Sequence, residues 1–290
     1  EEDVLKLWQG LGYYSRARNM LFAAKQIIED HNGTFPDHYA SLRTVKGVGD
    51  YTAAAIASIA FNEAVAVVAG NVKRVISRIF GLKETGNALH KQVKNVMMDL
   101  IDNKTPGDFN QAVMEFGATH CTPRKPGCTD CIFKDNCYAF THNMTASLPV
   151  KDKTRKPKEK YFYYLVIEHP GEPPVIIIKK RKEKGIWKNM YDFPLFEFSK
   201  EQLVEDLIDQ EFKKLFNGNV NFQILDKIYD HQLTHRSITA KFFYVVLSEK
   251  KNIKLADQWE WVSMDKIASL PLPRLIDRFI NDHPEIFRRS

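Results

Sequence analysis

Outside one seventeen-residue stretch, the 290-residue chain contains no cysteine. That distribution excludes a disulfide framework spread over the fold. No apolar run approaches the roughly eighteen residues that a membrane-spanning helix requires, and nothing reads as a lipidation signal or a signal peptide. The chain has no internal repeat and no low-complexity tract. It also lacks a strong charge of one sign in either half, with a net +1 over 1–150 and +1 over 161–290. Neither half is the globally basic surface that announces a polyanionic partner by itself, so any such contact has to be local. The expectation is a soluble protein with reduced thiols, cytosolic or nuclear, with no membrane partner and monomeric.

What cysteine there is forms a ligand set: Cys121, Cys128, Cys131 and Cys137, spaced C-x6-C-x2-C-x5-C. Four thiolates can hold a tetrahedral zinc or a [4Fe–4S] cubane. Structural zinc usually comes as two short knuckles set well apart. Here only Cys128 and Cys131 form one, and the spacing favours iron–sulfur over zinc or disulfides. Between the first two cysteines, Thr122–Gly127 carries two prolines and two cations, a stiff basic loop that is either simply solvated or offered to a polyanion.

A hydrophobic content of 44% over 290 residues supports two cores. The break falls at 151–160, KDKTRKPKEK, a linker with a net +4 that divides 1–150 from 161–290. Before it, Val4-Leu5-Leu7-Trp8, Met20–Ile28, Ala53–Ala60 and Val72–Phe80 show helical periodicity. After it, Tyr161–Glu168, Val175–Lys180, Tyr191–Phe198 and Ala240–Leu247 read as strands, with helices over Glu201–Phe216 and Leu275–Asn281. The predicted fold is multi-domain, an all-α unit followed by an α+β unit. The opening Glu1-Glu2-Asp3, already in a helix and without an initiator methionine, is expected of a fragment.

Gly47-Val48-Gly49 sits between two predicted helices. Glycines let such a turn take positive φ. The free N–H groups of the second helix then form an anion site that needs no basic side chain, although the same pattern also suits an ordinary αα-hairpin.

Taken with Gly10-Leu11-Gly12-Tyr13-Tyr14-Ser15-Arg16, Gly70-Asn71-Val72-x-Arg74-Val75, Phe109-Asn110-Gln111-Ala112 and the cysteine loop, this hairpin makes the chain resemble the MutY-type adenine DNA glycosylases of the endonuclease III superfamily. The resemblance covers nearly all of 1–137. It implies a helix–hairpin–helix domain with a [4Fe–4S] loop, double-stranded DNA carrying adenine opposite 8-oxoguanine as substrate, and a nucleoid-associated or nuclear location. It also implies base flipping, followed by protonation of adenine while a carboxylate stabilises the developing sugar cation. The general acid, a glutamate, is expected upstream of Glu1. The carboxylate is expected at position 69, where Ala69 stands. The chain as given is therefore expected to be catalytically impaired.

Tyr51 stands where bifunctional superfamily members carry a Schiff-base lysine, which implies a monofunctional glycosylase with Tyr51 and Asn71 lining the pocket. Tyr51 is equally readable as a helix-start residue packing on Ile56. By resemblance, Tyr13 wedges into the base stack and Arg16 holds backbone, with Gly47, Val48 and Gly49 on a phosphate. Residues 161–290 resemble a Nudix fold without its glutamate-rich magnesium helix, a recognition module rather than a pyrophosphatase. Trp187 and Tyr191-Asp192-Phe193-Pro194 resemble one family segment, and Leu233, Thr234 and His235 take the place of a lesion-reading Phe-Ser-His. The competing readings are a non-catalytic lesion-binding protein and, against the missing helix, a metal-dependent nucleotide hydrolase.

Overall fold

The computed structural model describes residues 1–152, 156–183, 185–218 and 220–287. It divides into two compact units, Asn19–Thr154 and Glu1–Arg18 with Arg155–Ser290. Of the predicted linker, 153–155 lie outside the described residues, and Lys158 already begins a strand. Composition drew a single division at 151–160. The structure additionally gathers the first eighteen residues with the C-terminal unit, because helix α1 (Glu2–Leu7) buries Leu5 completely in that unit's core. Around it, Lys6 Nζ donates to Leu270 O at 3.1 Å and Gln9 Nε2 to Asp277 Oδ1 at 2.9 Å. Glu2 accepts from Lys180 and from the Tyr191 hydroxyl, and these bonds hold its carboxyl below the usual range.

The helical unit takes the end of α2 (Ser15–Asp30), then α3 (Tyr39–Leu42), α4 (Asp50–Phe61), α5 (Gly70–Phe80), α6 (Gly86–Leu100), α7 (Pro106–Thr119) and α8 (Tyr138–Thr141). Small residues Ala53, Ala54 and Ala57 of α4 pack with Leu42, Val65 and Val67, while Val72 and Ile76 of α5 pack with Leu89, Val93 and Met97 of α6. One polar group ties the irregular stretch between α4 and α5 to α7. Asn110, fully buried, accepts from Val67 N at 3.0 Å and donates to Val65 O at 2.9 Å, satisfying a backbone that no ladder serves.

In the second unit β1 (Lys158–His169) and β6 (Arg236–Val246) pair in parallel over eleven residues at the centre of the sheet. Alternation sends Phe162, Tyr164 and Val166 to one core and Tyr163, Leu165 and Ile167 to the other, which is why both strands read as nearly unbroken apolar runs. The remaining strands are β2 (Val175–Lys180), β3 (Tyr191–Asp192), β4 (Leu195–Phe198), β5 (Gln223–Gln232) and β7 (Trp259–Ser263). The sheet order is β3-β2-β1-β6-β5, with β4 on β1 and β7 on β2.

The helix expected over Glu201–Phe216 is broken into α9 (Val204–Leu207), a π turn over Ile208–Phe212 and a 3₁₀ turn over Lys213–Leu215. Leu207 and Phe212 both enter the second core, and a spacing of five falls off an α-helical stripe. Widening the turn brings Phe212 back under the sheet. Helix α10 (Arg274–Asp282) covers the other face with Leu275, Ile276 and Phe279. Among the described residues no helix is long and apolar enough to cross a membrane.

Candidate catalytic pocket and cysteine loop

Ala69 is the N-cap of α5, with φ −92° and ψ 170°, and no side chain caps the helix there. An N-cap side chain points at the free N–H groups of the first turn, so a carboxylate at 69 would be held at a fixed place by the backbone itself. Two residues on, the Asn71 amide oxygen accepts from Arg74 at 2.8 Å, which fixes the amide's orientation. Its Nδ2 lies 3.5 Å from Met114 O. Tyr51, in the first turn of α4, is 48% exposed, and its hydroxyl reaches Met114 Sδ at 4.0 Å. Met114 of α7 thus meets Tyr51 through its sulfur and Asn71 through its carbonyl. Sequence reasoning did not single it out, because a methionine on a helix reads as core.

Of the two turn glycines only the first takes the positive φ expected of the pattern. Gly47 has φ +83°, and a Cβ there would lie 2.5 Å from the Asn19 Cβ. Gly49 caps α4 with φ −87°, and a Cβ would meet nothing within 4 Å. Val48 packs inward on Leu42, Ala53 and their neighbours, so it anchors the turn from below while the glycines face outward. Lys46 N donates to Gln26 Oε1 at 2.9 Å, tying the turn to α2. Asp50, next after the cap, accepts from the Tyr39 hydroxyl and from Arg43 at 2.6 Å, with His90 at 3.3 Å. The Tyr39 bond leads in holding its carboxyl below the usual range. Gly47→Ala should therefore lower stability by about 2 kcal/mol through its left-handed φ and the Asn19 clash. Gly49→Ala should stay within about 0.5 kcal/mol. Urea melts of both variants check the contrast.

The cysteine loop hangs on two buried arginines of α5. Arg74 Nε donates to Cys121 O at 2.8 Å and its NH2 group to Gly117 O at 2.5 Å. Arg78 donates to Leu148 O at 3.0 Å, Thr122 O at 2.8 Å, Pro123 O at 3.3 Å and Cys121 Sγ at 3.3 Å. All four cysteines line one cavity. Burial, then the nearness of Cys121 and Cys137, raises the Cys128 thiol. Among the described residues no three His, Cys, Asp or Glu side chains are grouped to hold a single metal ion.

Tyr13 and Arg16 lie in the other unit. The turn over Gly10–Tyr14 divides its aromatic pair: Tyr14 is buried, whereas Tyr13 is 67% exposed at φ +47°, with the Arg16 guanidinium 5.0 Å from its ring centre. A bulky residue held at positive φ and turned outward is a strained position. In the β5–β6 turn of the same unit, Leu233 packs partly on the core and its N–H donates to Arg236 O at 2.8 Å, leaving Thr234 and His235 exposed at the tip. Leu233 thus serves the core with its side chain. Trp187, Tyr191, Asp192 and Phe193 are all buried, and burial pushes the Asp192 carboxyl up to about 6 against its 2.7 Å pairing with Arg181.

Residues 1–103 match the HhH-GPD superfamily of base excision DNA repair proteins, and residues 163–282 match the NUDIX domain. The Adenine DNA glycosylase of Buchnera aphidicola subsp. Acyrthosiphon pisum is 30% identical over 97% of this chain and 78% of its own length. That of the Schizaphis graminum strain is 30% identical over 99% and 80%. The Arabidopsis thaliana Adenine DNA glycosylase is 34% identical over 94% of this chain but only 48% of its own. With a helix–hairpin–helix unit and a Nudix-like unit in one polypeptide, and with relatives of that identity matched over most of both chains, this chain belongs to the adenine DNA glycosylase family.

Proposed function

We propose that the fold is built to remove adenine opposite 8-oxoguanine from double-stranded DNA without strand cleavage, and that with Ala69 this chain binds the lesion while the chemistry is disabled. The observation that carries the reading is the position of residue 69: a helix N-cap two residues from an Asn71 amide locked by Arg74. A carboxylate there would stand preorganised beside the developing sugar cation, and a methyl group supplies none of that field. Tyr51 closes the pocket with a hydroxyl instead of an amine, so no Schiff base forms with the sugar. The proton for the leaving adenine would come from the upstream glutamate that the family resemblance implies.

The glycine turn and the free N–H groups of α4 suit a phosphate, Tyr13 with Arg16 suits an unstacked base step, and the Thr234–His235 tip offers hydrogen-bonding groups to a lesion. Four thiols on one cavity, on a loop braced by arginines, offer the ligand set of a [4Fe–4S] cluster. Bound there, it would supply a cross-link that holds the basic loop and a one-electron couple. The second reading, a lesion-binding protein with no chemistry at all, is favoured by Ala69 alone.

Titration of duplexes carrying A opposite 8-oxoguanine, A opposite G and C opposite G at one salt concentration tests recognition. The first should bind at least about tenfold tighter than the last. Equal affinities would remove the lesion-reading role of the Nudix-like unit.

A further inference from the structure

His120 immediately precedes the first cysteine, and its Nε2 is buried with no protein hydrogen-bond partner. Buried polar atoms are almost always hydrogen-bonded, so its partner is to be sought in the space it faces. His120 lines the same cavity as the four cysteines. The rest of that wall includes Ile79, Phe116, Phe133 and Phe140, whose side chains offer no acceptor, and Thr145, whose hydroxyl makes no hydrogen bond to the ring. The ring is also held in place. It stacks on Phe116 with ring centres 5.0 Å apart, and Gly127 lies so close that a Cβ there would stand 3.1 Å from the His120 Cε1. Gly127 N further donates to His120 O at 3.1 Å. The imidazole is thus clamped between α7 and the residue before Cys128.

We propose that His120, as its Nε2–H tautomer, donates a hydrogen bond to a sulfur of the iron–sulfur cluster and so sets its reduction potential. The inference rests on the cluster reading above. It makes His120 a positioning residue for the cofactor, distinct from the four ligands. A donor to cluster sulfur favours the more electron-rich oxidation state and raises the potential. The sulfurs are the acceptors that the orphaned nitrogen lacks.

The test uses the whole chain purified with its metal, His120→Phe and His120→Gln. Phenylalanine keeps the stack and deletes the donor, whereas glutamine restores an N–H. Three readouts are needed: iron and acid-labile sulfide content, the midpoint potential by voltammetry, and nitrogen hyperfine coupling in the paramagnetic state of protein labelled with 15N-histidine. Expected are equal iron contents, a lower potential in His120→Phe, at least partial return in His120→Gln, and an imidazole coupling in the parent that His120→Phe lacks. Full iron with unchanged potential and no imidazole coupling overturns the hydrogen bond alone. A parent chain without iron and sulfide overturns the cluster reading and the inference with it. Should His120→Phe fail to fold, the coupling in the parent decides by itself.

Discussion

Ala69→Asp, in a chain that also carries the upstream glutamate, should raise the single-turnover rate of adenine release opposite 8-oxoguanine by about 10²–10³-fold, equivalent to about 2.7–4 kcal/mol of barrier. The argument is positional. Residue 69 is an N-cap whose carbonyl already accepts from Lys73 N at 2.9 Å, so the backbone is set and only the side chain changes. An aspartate there would also cap α5 and stabilise it by about 1 kcal/mol. Ala69→Asn separates the two effects, since asparagine caps as well as aspartate but carries no charge. It should raise the melting temperature while leaving the rate near that of the parent. A rate in Ala69→Asp within about threefold of Ala69→Asn would mean that charge at this position does not act on the sugar cation, and the lesion-binding reading would then stand alone.

The parts legible in the sequence are those where one local rule dominates. Gly47 had to be glycine because its φ is +83°, and a turn glycine announces itself between two helical periods. Strands β1 and β6 were visible because both faces are buried, giving long β-branched and aromatic runs. Edge strand β5 was missed for the opposite reason: only Tyr229 among its ten residues is buried, so no pattern survives and its register comes from β6. Likewise the pairing of α1 with the C-terminal unit depends on contacts to Leu270, Leu272 and Asp277, more than 250 residues away, which no local window contains. At the site, the ligand spacing and the Ala69 departure could be read directly. The tasks of Arg74 and Arg78 could not, because two arginines one turn apart on an amphipathic helix look solvent-exposed until the loop that they hold is folded over them.

That loop gives the second large effect. Arg78→Leu should destabilise the helical unit by about 4 kcal/mol and release the cysteine loop. Arg78 is 3% exposed and supplies the donors for Leu148 O, Thr122 O and Pro123 O. A leucine fills much of the volume but leaves these carbonyls short of donors, at about 1–3 kcal/mol for each that is buried and unpaired. The total belongs to the severe end of single substitutions. Arg78→Lys should fall between, because one ammonium cannot reproduce a fork that spans three carbonyls and a thiol. Urea unfolding of the three proteins measures the stability, and limited proteolysis between Cys121 and Cys128 measures the loop. Iron and sulfide content measured alongside identifies what holds that segment. If Arg78→Leu keeps full iron and a protected loop, the thiol ligands alone suffice and the arginine fork is redundant. If iron is lost together with protection, ligand geometry depends on carbonyls fixed from α5, and the cavity is organised by the helix before any metal arrives.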